Sequence, residues 1–432
     1  MQRVSRLVMV IGTFAAVLAA RLAHHWLRGD VGSLGPYLWF AALLAVSALA
    51  IGLPTYPQDW QPAIFSSIVA ATVGTAAMAF AQLFFPNSLP RFVLLLVPLF
   101  LIPWLLINWR LTLRSQFRVR ALERVLGIVA PDDAATMITD SRQSFPRAEL
   151  PYTLVSAITP SEVPPGKLAE ICTSHDVTLL VLGGSAQDDD ELLAQVEPLH
   201  GEGMRVRTLE MFYDEWLGKL PLSEVGRMAL FTDIGSIHKT QYAYLKRFID
   251  VAGALIGCVL LLIAIPLVWV GNWFGNRGPL FFTQLRAGPN NQPFRILKFR
   301  TMTPRTGEQG TWTTEGDMRV TPFGGVLRRL HLDELPQMLN ILQGSLSIVG
   351  PRPEQVDYVT DLQDKLPYYG LRLLVKPGLT GWAQVKFRYG ASDRDAWEKL
   401  QYDLYYVRHQ SLTFDLLIIS RTIRQVVFAQ GR

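Results

Sequence analysis

The chain has 432 residues, of which 50% are hydrophobic and only 18% are charged. A soluble protein of this length carries more charge, so the composition excludes a purely soluble chain and predicts membrane segments. The formal net charge of +5 favours an anionic partner, such as lipid headgroups or a phosphorylated substrate. We do not expect nucleic acid, because no basic run is interleaved with aromatic residues that could stack on bases.

Four apolar stretches fill the first quarter of the chain, at residues 7–26, 37–53, 63–85 and 92–109. Each is close to the ~20 residues that an α-helix needs to cross a bilayer, so we predict four transmembrane helices within residues 1–120. Arginines precede the first stretch and cluster after the fourth, at Arg3, Arg6, Arg110, Arg114, Arg118, Arg120 and Arg124. The positive-inside rule then predicts a multi-pass protein with its N-terminus and everything after residue 109 in the cytoplasm.

The composition becomes globular between residues 121 and 225. Short apolar runs such as "VLGIVA" and "VTLLVLGG" alternate with helix-like segments such as "DDELLAQVEPLH". This alternation predicts a Rossmann-like domain, with a parallel sheet and crossover helices. A dinucleotide site would need a glycine-rich turn after the first strand, but "APDDAA" at residues 130–135 has no glycine and two acids. We therefore expect a regulatory or dimerising domain and no dinucleotide.

A fifth apolar stretch, residues 248–269, begins the C-terminal region. Two features argue against a full crossing of the membrane. Pro266 removes a helical hydrogen bond and bends or breaks the helix. Asp250 lies beside Lys246 and Arg247, a polar cluster suited to the headgroup layer. These features predict a re-entrant helix that bends at Pro266 and has both ends in the cytoplasm; a proline-kinked span is the alternative.

The stretch "LHLDELPQMLNILQGSLSIVGPRP", residues 330–353, places two carboxylates beside a predicted helix. Pro336 suits a first helical turn and Gly344 suits the cap at its end. Asp333 and Glu334 would then lie at the helix N-terminus, where free amides favour phosphate and ionised carboxylates. Such a carboxylate can ligate Mg²⁺ or attack phosphorus, although Asp and Glu also cap helices with no further role.

Several cations accompany this pair. "PFRILKFRTM" is typical of a strand, in which Lys298 and Arg300 would point to the same face. Arg328 comes shortly before the carboxylates, and Arg352 is held between two prolines that restrict the backbone. Each cation alone is more often a surface charge. Together they suggest a substrate with two or three phosphates and a divalent ion.

From about residue 246 to its end, the chain resembles the bacterial sugar transferase family, the monotopic phosphoglycosyl transferases that prime exopolysaccharide and O-antigen synthesis. The resemblance rests on "KRFID", "GPLFFTQLRAG", "KFRTM", "LDELPQMLNILQGSLSIVGPRP", "KPGLTGWAQV" and "YDLYYVRHQSLTFDLLI". The four apolar stretches and the middle domain resemble the large members of the family more weakly. The resemblance predicts a membrane α/β protein: a four-helix transmembrane region (1–120), a Rossmann-like domain (121–225), and a re-entrant helix with a small α/β catalytic domain (240–432).

The resemblance implies a two-step transfer at the cytoplasmic face of the bacterial inner membrane. Asp333 would attack the β-phosphate of a UDP-sugar, release UMP and pass the phosphosugar to polyprenyl (undecaprenyl) phosphate. Glu334 would share with Asp333 in binding Mg²⁺, while Lys298, Arg328 and Arg352 match positions that handle phosphates. Membrane lipids and a second copy of the chain, in a homodimer, complete the expected partners.

The chain departs from the family pattern in places. Ser345 stands where an acid is frequent, and Ile265 precedes Pro266 where serine is frequent. His331 replaces a serine or threonine and is either a general base or a helix-entry residue. A non-catalytic membrane scaffold is the alternative function, and a nucleotide-sugar oxidoreductase is disfavoured by "APDDAA". The sequence does not identify the sugar.

Overall fold

The computed structural model describes residues 2–29, 32–51, 53, 60–82, 85, 89–119, 123–143, 152–224, 240–303, 319–387 and 392–427. The chain divides into two compact units. The first holds four helices: α1 (Gln2–Arg28), α2 (Gly35–Ala50), α3 (Trp60–Ala81) and α4 (Arg91–Val119). The second begins at Arg124 and holds almost all of the middle sheet together with the C-terminal domain.

The helices of the first unit pack through small residues. A Cβ atom at Gly12 of α1 would clash with Trp104 of α4, and one at Gly74 of α3 would meet Leu44 of α2 at 2.6 Å. Small residues allow this close approach in helices that cross membranes. Leucines such as Leu95 and Leu99, each 69% exposed, form an apolar outer surface that suits lipid. The first unit is therefore a helical, membrane-type bundle, as predicted.

Three described helices are long and apolar enough to cross a bilayer: Ser5–Arg28, Arg91–Thr112 and Tyr242–Gly275. The apolar helices Gly35–Leu49 and Ser66–Ala81 are shorter than a full crossing requires. The predicted set of four crossings, and the orientation derived from it, therefore stays a prediction.

The middle domain contains a sheet of four strands: β1 (Glu123–Ile128), β2 (Tyr152–Ile158), β3 (Leu179–Leu182) and β4 (Arg205–Thr208). The strand order is β2-β1-β3-β4, and both β1–β3 and β3–β4 are parallel. The connecting helices are α5 (Pro131–Gln143), α6 (Leu168–Ser174), α7 (Gly184–Gln187), α8 (Asp190–Gly201) and α9 (Leu209–Phe212). The parallel pairing confirms the predicted sheet with helical crossovers, while its Rossmann-like class stays a prediction.

The C-terminal domain begins with the long helix α10 (Thr240–Gly275) and the antiparallel hairpin β5 (Phe281–Ala287) and β6 (Pro293–Phe299). Short helices and a parallel strand pair follow. They are α11 (Pro322–Arg329), α12 (Gln337–Gln343), β7 (Ser347–Val349), α13 (Val356–Lys365), β8 (Gly378–Thr380) and α14 (Trp382–Lys386). Two longer helices, α15 (Asp393–Arg408) and α16 (Leu412–Val427), complete the domain.

Helix α10 packs against the C-terminal domain along most of its length. Glycines permit this contact, because a Cβ atom at Gly257 would clash with Met338 and one at Gly271 would clash with Phe323. The opposite side of α10 is apolar and exposed, for example at Phe274. Pro266 lies inside one continuous helix, so the predicted turn-back at this residue is not confirmed. The helix nevertheless has one protein-facing side and one side suited to lipid.

Candidate active site

The two carboxylates lie in a single turn of 3₁₀-helix, Leu332–Glu334, that precedes α12. The preceding residue, His331, has left-handed backbone angles (φ 56°, ψ 18°), which reverses the chain after α11. Helix α12 starts after Pro336 and ends at Gly344 (φ 88°), whose amide donates to two carbonyls of the last turn. The predicted helix and its glycine cap are confirmed. Asp333 and Glu334, however, lie one turn before the helix and not in its first turn.

Glu334 is held by two cations. Lys298 Nζ donates to Oε1 of Glu334 at 2.6 Å, and Arg352 Nη2 donates to the same oxygen at 3.0 Å. Burial raises the pKa of Glu334, but Lys298 and Arg352 outweigh this effect and hold the pKa well below its usual range. The structure therefore brings three of the predicted site residues together, with Asp333 adjacent in the chain.

Lys298 is positioned by the hairpin and by a buried asparagine. It lies on β6, next to the segment that Asn340 of α12 contacts. Asn340 Oδ1 accepts from the amide of Leu297 at 3.0 Å, and its Nδ2 donates to the carbonyl of Arg295 at 2.8 Å. These bonds tie the helix after Glu334 to the strand that carries Lys298. Sequence reasoning missed Asn340, although a polar residue within "QMLNILQ" was a visible sign.

Arg352 lies in the loop after β7, and two other arginines donate hydrogen bonds to the backbone carbonyls of this loop. Arg372 donates to the Arg352 carbonyl at 2.9 Å and forms an ion pair with Asp403 at 2.7 Å. Arg286 donates to the carbonyl of Pro353 at 3.2 Å. Burial lowers the pKa of Arg372, but Tyr369 and Asp403 outweigh burial and raise it above its usual range. Arg372 and Asp403 were not predicted, because each finds its partner far along the chain.

Arg300 does not join the site. Its side chain is buried, and its guanidinium donates to the backbone carbonyls of Asn276, Pro279 and Met302. The hairpin pairing ends at Phe281–Phe299, so strand alternation no longer determines the direction of the next side chain. The prediction that Arg300 binds phosphate beside Lys298 is therefore wrong, and Arg300 has a structural role.

Arg328 lies in the last turn of α11, three residues before His331. Its side chain is half-buried, and among the residues that the structure describes it makes no hydrogen bond or ion pair. Its role in binding phosphate stays a prediction. Ser345 donates to the carbonyl of Asn340 at 3.2 Å, so this residue contributes to the end of α12.

The expected Mg²⁺ can be tested against the donor set. No group of three His, Cys, Asp or Glu side chains in the described part of the chain could hold a metal ion. Glu334 already faces two cations, which would repel an added Mg²⁺ unless phosphate brought negative charge with it. One or two carboxylates with substrate phosphates are a frequent Mg²⁺ donor set. Asp333 and Glu334 therefore fit a Mg²⁺ that arrives with a diphosphate.

Residues 241–429 match the family described as bacterial sugar transferase. The chain is 40% identical over 191 residues, 44% of this chain and 45% of the relative, to the UDP-N-acetylgalactosamine-undecaprenyl-phosphate N-acetylgalactosaminephosphotransferase of Aeromonas hydrophila. It is 40% identical over 190 residues, 43% of this chain and 89% of the relative, to the uncharacterized sugar transferase EpsL of Bacillus subtilis. It is 33% identical over 294 residues, 64% of this chain and 59% of the relative, to the UDP-glucose:undecaprenyl-phosphate glucose-1-phosphate transferase of Xanthomonas campestris pv. campestris.

These similarities assign the C-terminal domain to the sugar transferase class. The chain belongs to the bacterial sugar transferase family, which confirms the resemblance of its C-terminal motifs. It spans 45% and 59% of the length of the Aeromonas and Xanthomonas relatives. Those two relatives are named for different sugars, so the similarity leaves the sugar of this chain open.

Proposed function

We propose that the protein transfers a sugar-1-phosphate from a UDP-sugar to polyprenyl (undecaprenyl) phosphate and releases UMP. This reaction would initiate exopolysaccharide or O-antigen synthesis. The observation that carries the proposal is the Lys298–Glu334–Arg352 arrangement next to Asp333. The names of two relatives, which include both a UDP-sugar and undecaprenyl phosphate, support the choice of substrates. A non-catalytic scaffold would not require two cations around one of two adjacent carboxylates.

In the proposed first step, Asp333 is the nucleophile. One of its carboxylate oxygens forms a bond to the β-phosphorus of the UDP-sugar. The bond from that phosphorus to the bridging oxygen breaks, and UMP leaves with this oxygen and the electron pair. In the second step, a phosphate oxygen of the lipid attacks the same phosphorus, and the Asp333 oxygen leaves as a restored carboxylate.

The cations of the site serve both steps in this proposal. Lys298 and Arg352, together with Arg328, neutralise the phosphate charge of the donor and then that of the lipid acceptor. Dividing the reaction avoids holding the phosphates of both substrates together against their repulsion. A Mg²⁺ bound with the diphosphate would neutralise further charge on the leaving group.

Helix α10 supports the proposed position at the membrane. Its exposed apolar side, which includes Leu262, Leu267 and Phe274, supports insertion into lipid beside the site. The domain packs on both the Gly257 and the Gly271 segments of this helix. We propose that α10 bends at Pro266 within the bilayer, so that both of its ends lie at the cytoplasmic face of the inner membrane, where a soluble donor and a lipid acceptor both reach Asp333.

The test is a lipid-free burst. Enzyme with a UDP-sugar and Mg²⁺ should release about one UMP per active site and then stop, and polyprenyl phosphate should restart turnover. The protein should gain the mass of one sugar phosphate, and Asp333→Asn should show neither the burst nor the adduct. UMP release that requires lipid, with no adduct, would remove Asp333 from the nucleophile role. No UMP from any UDP-sugar in a broad panel would favour the scaffold.

A further inference from the structure

A short segment at the end of the described middle domain, called the connecting segment below, contacts the C-terminal domain. This connecting segment, residues 213–224, begins with the π-helical turn Tyr213–Leu217 and continues through Gly218, which has a left-handed backbone (φ 67°). Trp382 Nε1 of α14 donates to the Gly218 carbonyl at 2.6 Å. A Cβ atom at Gly218 would meet the indole ring at 3.0 Å. The indole therefore fixes the segment at a position that suits only glycine.

Lys219 is the centre of the contact between the two domains. Its side chain is 1% exposed, and Nζ donates to Asp140 Oδ1 of α5 at 2.9 Å and to Glu398 Oε1 of α15 at 2.5 Å. Tyr213 Oη donates to the other Asp140 oxygen at 2.8 Å. A lysine is almost never fully buried unless it is paired, and removing one partner of such a group leaves an uncompensated charge. Lys219 therefore bridges the middle domain to α15.

Further contacts fasten α15 to the same domain. At its C-terminal end, Arg408 forms an ion pair with Glu210 at 2.5 Å. The adjacent His409 Nε2 lies 3.1 Å from Asp214 Oδ1. Between the two ends, leucines of the connecting segment are buried in one apolar cluster with leucines of α15; the four are Leu220, Leu222, Leu400 and Leu404. The middle domain thus contacts α15 at several points along its length.

Helix α15 also supports the candidate active site. Asp403, on this helix, forms the buried ion pair with Arg372. Arg372 donates to the carbonyl of Arg352, and Arg352 contacts Glu334. A continuous series of described contacts therefore runs from Lys219 through α15 to the carboxylate beside Asp333.

We propose that Lys219 is a positioning residue, through which the middle domain holds α15 and thereby the loop that presents Arg352 to Glu334. This gives the middle domain a role in catalysis without any ligand of its own. The inference rests on the proposed function for its kinetic part. Its structural part is that Lys219 orders the Arg352 loop, and this part does not depend on which reaction the protein catalyses.

The test compares Lys219→Met with Lys219→Arg in the full-length protein. Hydrogen exchange is measured over residues 350–353 and over α15, and kcat and KM are measured for the UDP-sugar. We expect Lys219→Met to exchange faster in both regions and to have a kcat roughly three- to thirtyfold lower, the usual range for coupling between sites. Lys219→Arg should recover part of both effects. Lys167→Met is the matched control, because Lys167 is an exposed lysine of the middle domain that pairs with Glu170.

Glu398→Gln provides a second variant if Lys219→Met does not fold, because it keeps the hydrogen bond and removes one charge. We expect the same changes at residues 350–353, smaller in size. Unchanged exchange at residues 350–353 and unchanged kcat in a folded variant, with only the thermal midpoint lowered, would overturn the proposal. If the wild type transfers no sugar phosphate, the proposed function fails, while the exchange data still decide whether Lys219 orders the Arg352 loop.

Discussion

Replacing Glu334 with glutamine tests the effect of the negative charge, because glutamine keeps the shape of the side chain and is neutral. Glu334 accepts from Lys298 at 2.6 Å and from Arg352 at 3.0 Å, and the two cations are 20% and 33% exposed. Glutamine keeps a carbonyl acceptor in the same place but removes the negative charge. Two charge-assisted hydrogen bonds become neutral ones, and Lys298 and Arg352 lose the anion that they share.

We expect Glu334→Gln to lower the free energy of unfolding by about 2 kcal/mol. Hydrogen bonds to charged groups contribute roughly 1.5–3 kcal/mol and neutral ones roughly 0.5–1.5 kcal/mol, so each bond loses about 1 kcal/mol. The pKa of Glu334 is below its ordinary value of 4.5, because Lys298 and Arg352 outweigh the effect of burial. A carboxyl with a lowered pKa stabilises the fold fully above its unfolded pKa, and this contribution is lost as the pH falls through the folded pKa. The difference between wild type and variant should therefore be full at pH 7 and shrink below about 4.5.

The same substitution should strengthen UMP binding in the absence of metal. Without the Glu334 charge, Lys298 and Arg352 attract an incoming phosphate more strongly. A unit charge about 5 Å away at an effective dielectric constant of about 20 contributes about 3 kcal/mol, and solvent at these partly exposed groups reduces this to about half. A change of about 1.4 kcal/mol corresponds to about tenfold tighter binding.

Calorimetric titration with UMP in the presence of EDTA, and thermal unfolding at several pH values, measure both effects. Asp361→Asn is the control, because Asp361 forms an exposed pair with Lys365 and its removal should change the stability little. Equal or weaker UMP binding by Glu334→Gln would show that Lys298 and Arg352 do not face the phosphate. A stability loss as small as that of the control would show that the ion pairs contribute little to the fold.

Three other outcomes are expected. Asp333→Asn should abolish transfer and keep the wild-type thermal midpoint, because losing a nucleophile costs several kcal/mol in the barrier; activity within tenfold of wild type would argue against this role. Gly218→Ala should destabilise more than Gly166→Ala in thermal unfolding. Both glycines have positive φ, but only a Cβ atom at Gly218 meets another side chain, the indole of Trp382 at 3.0 Å. Equal losses of stability in the two variants would mean that the indole moves to make room for the new Cβ atom. A cysteine at Lys399 should react with an impermeant reagent only from the cytoplasmic side, and labelling from outside intact cells would contradict the proposed orientation.

The parts of the site that could be predicted are those that depend on local backbone chemistry. Pro336 and Gly344 bound α12 because one suits the start of a helix and the other suits a left-handed cap. Lys298 and Arg352 were recognised because a strand and a proline-flanked turn restrict where they lie. The parallel sheet of the middle domain is also present as predicted. It could be predicted because the alternation of apolar runs and amphipathic segments is a local sequence pattern.

The parts that could not be predicted depend on partners far along the chain. Arg300 and Lys298 are two residues apart in one strand-like stretch of the sequence, yet Arg300 is buried because carbonyls of a separate segment, at Asn276 and Pro279, accept its hydrogen bonds. Arg372 is likewise buried because Asp403 pairs with it. A sequence pattern shows where an arginine is, but it does not show which hydrogen-bond acceptors the fold places next to that arginine. Candidate phosphate ligands chosen by charge alone therefore include structural arginines.

The contact that Lys219 makes between the two domains could not be predicted from the sequence either. Its partners are 79 and 179 residues away, and in the sequence it is one lysine among apolar residues in "WLGKLPL". Burying an ammonium group is costly unless it is paired, and the two carboxylates that pair with Lys219, Asp140 and Glu398, come from different domains. Lys219 therefore couples the docking of the two domains to the local order around it, because neither domain alone provides both of its ion pairs. The middle domain can therefore affect the candidate site without binding a nucleotide, which agrees with the acidic, glycine-free turn that follows its first strand.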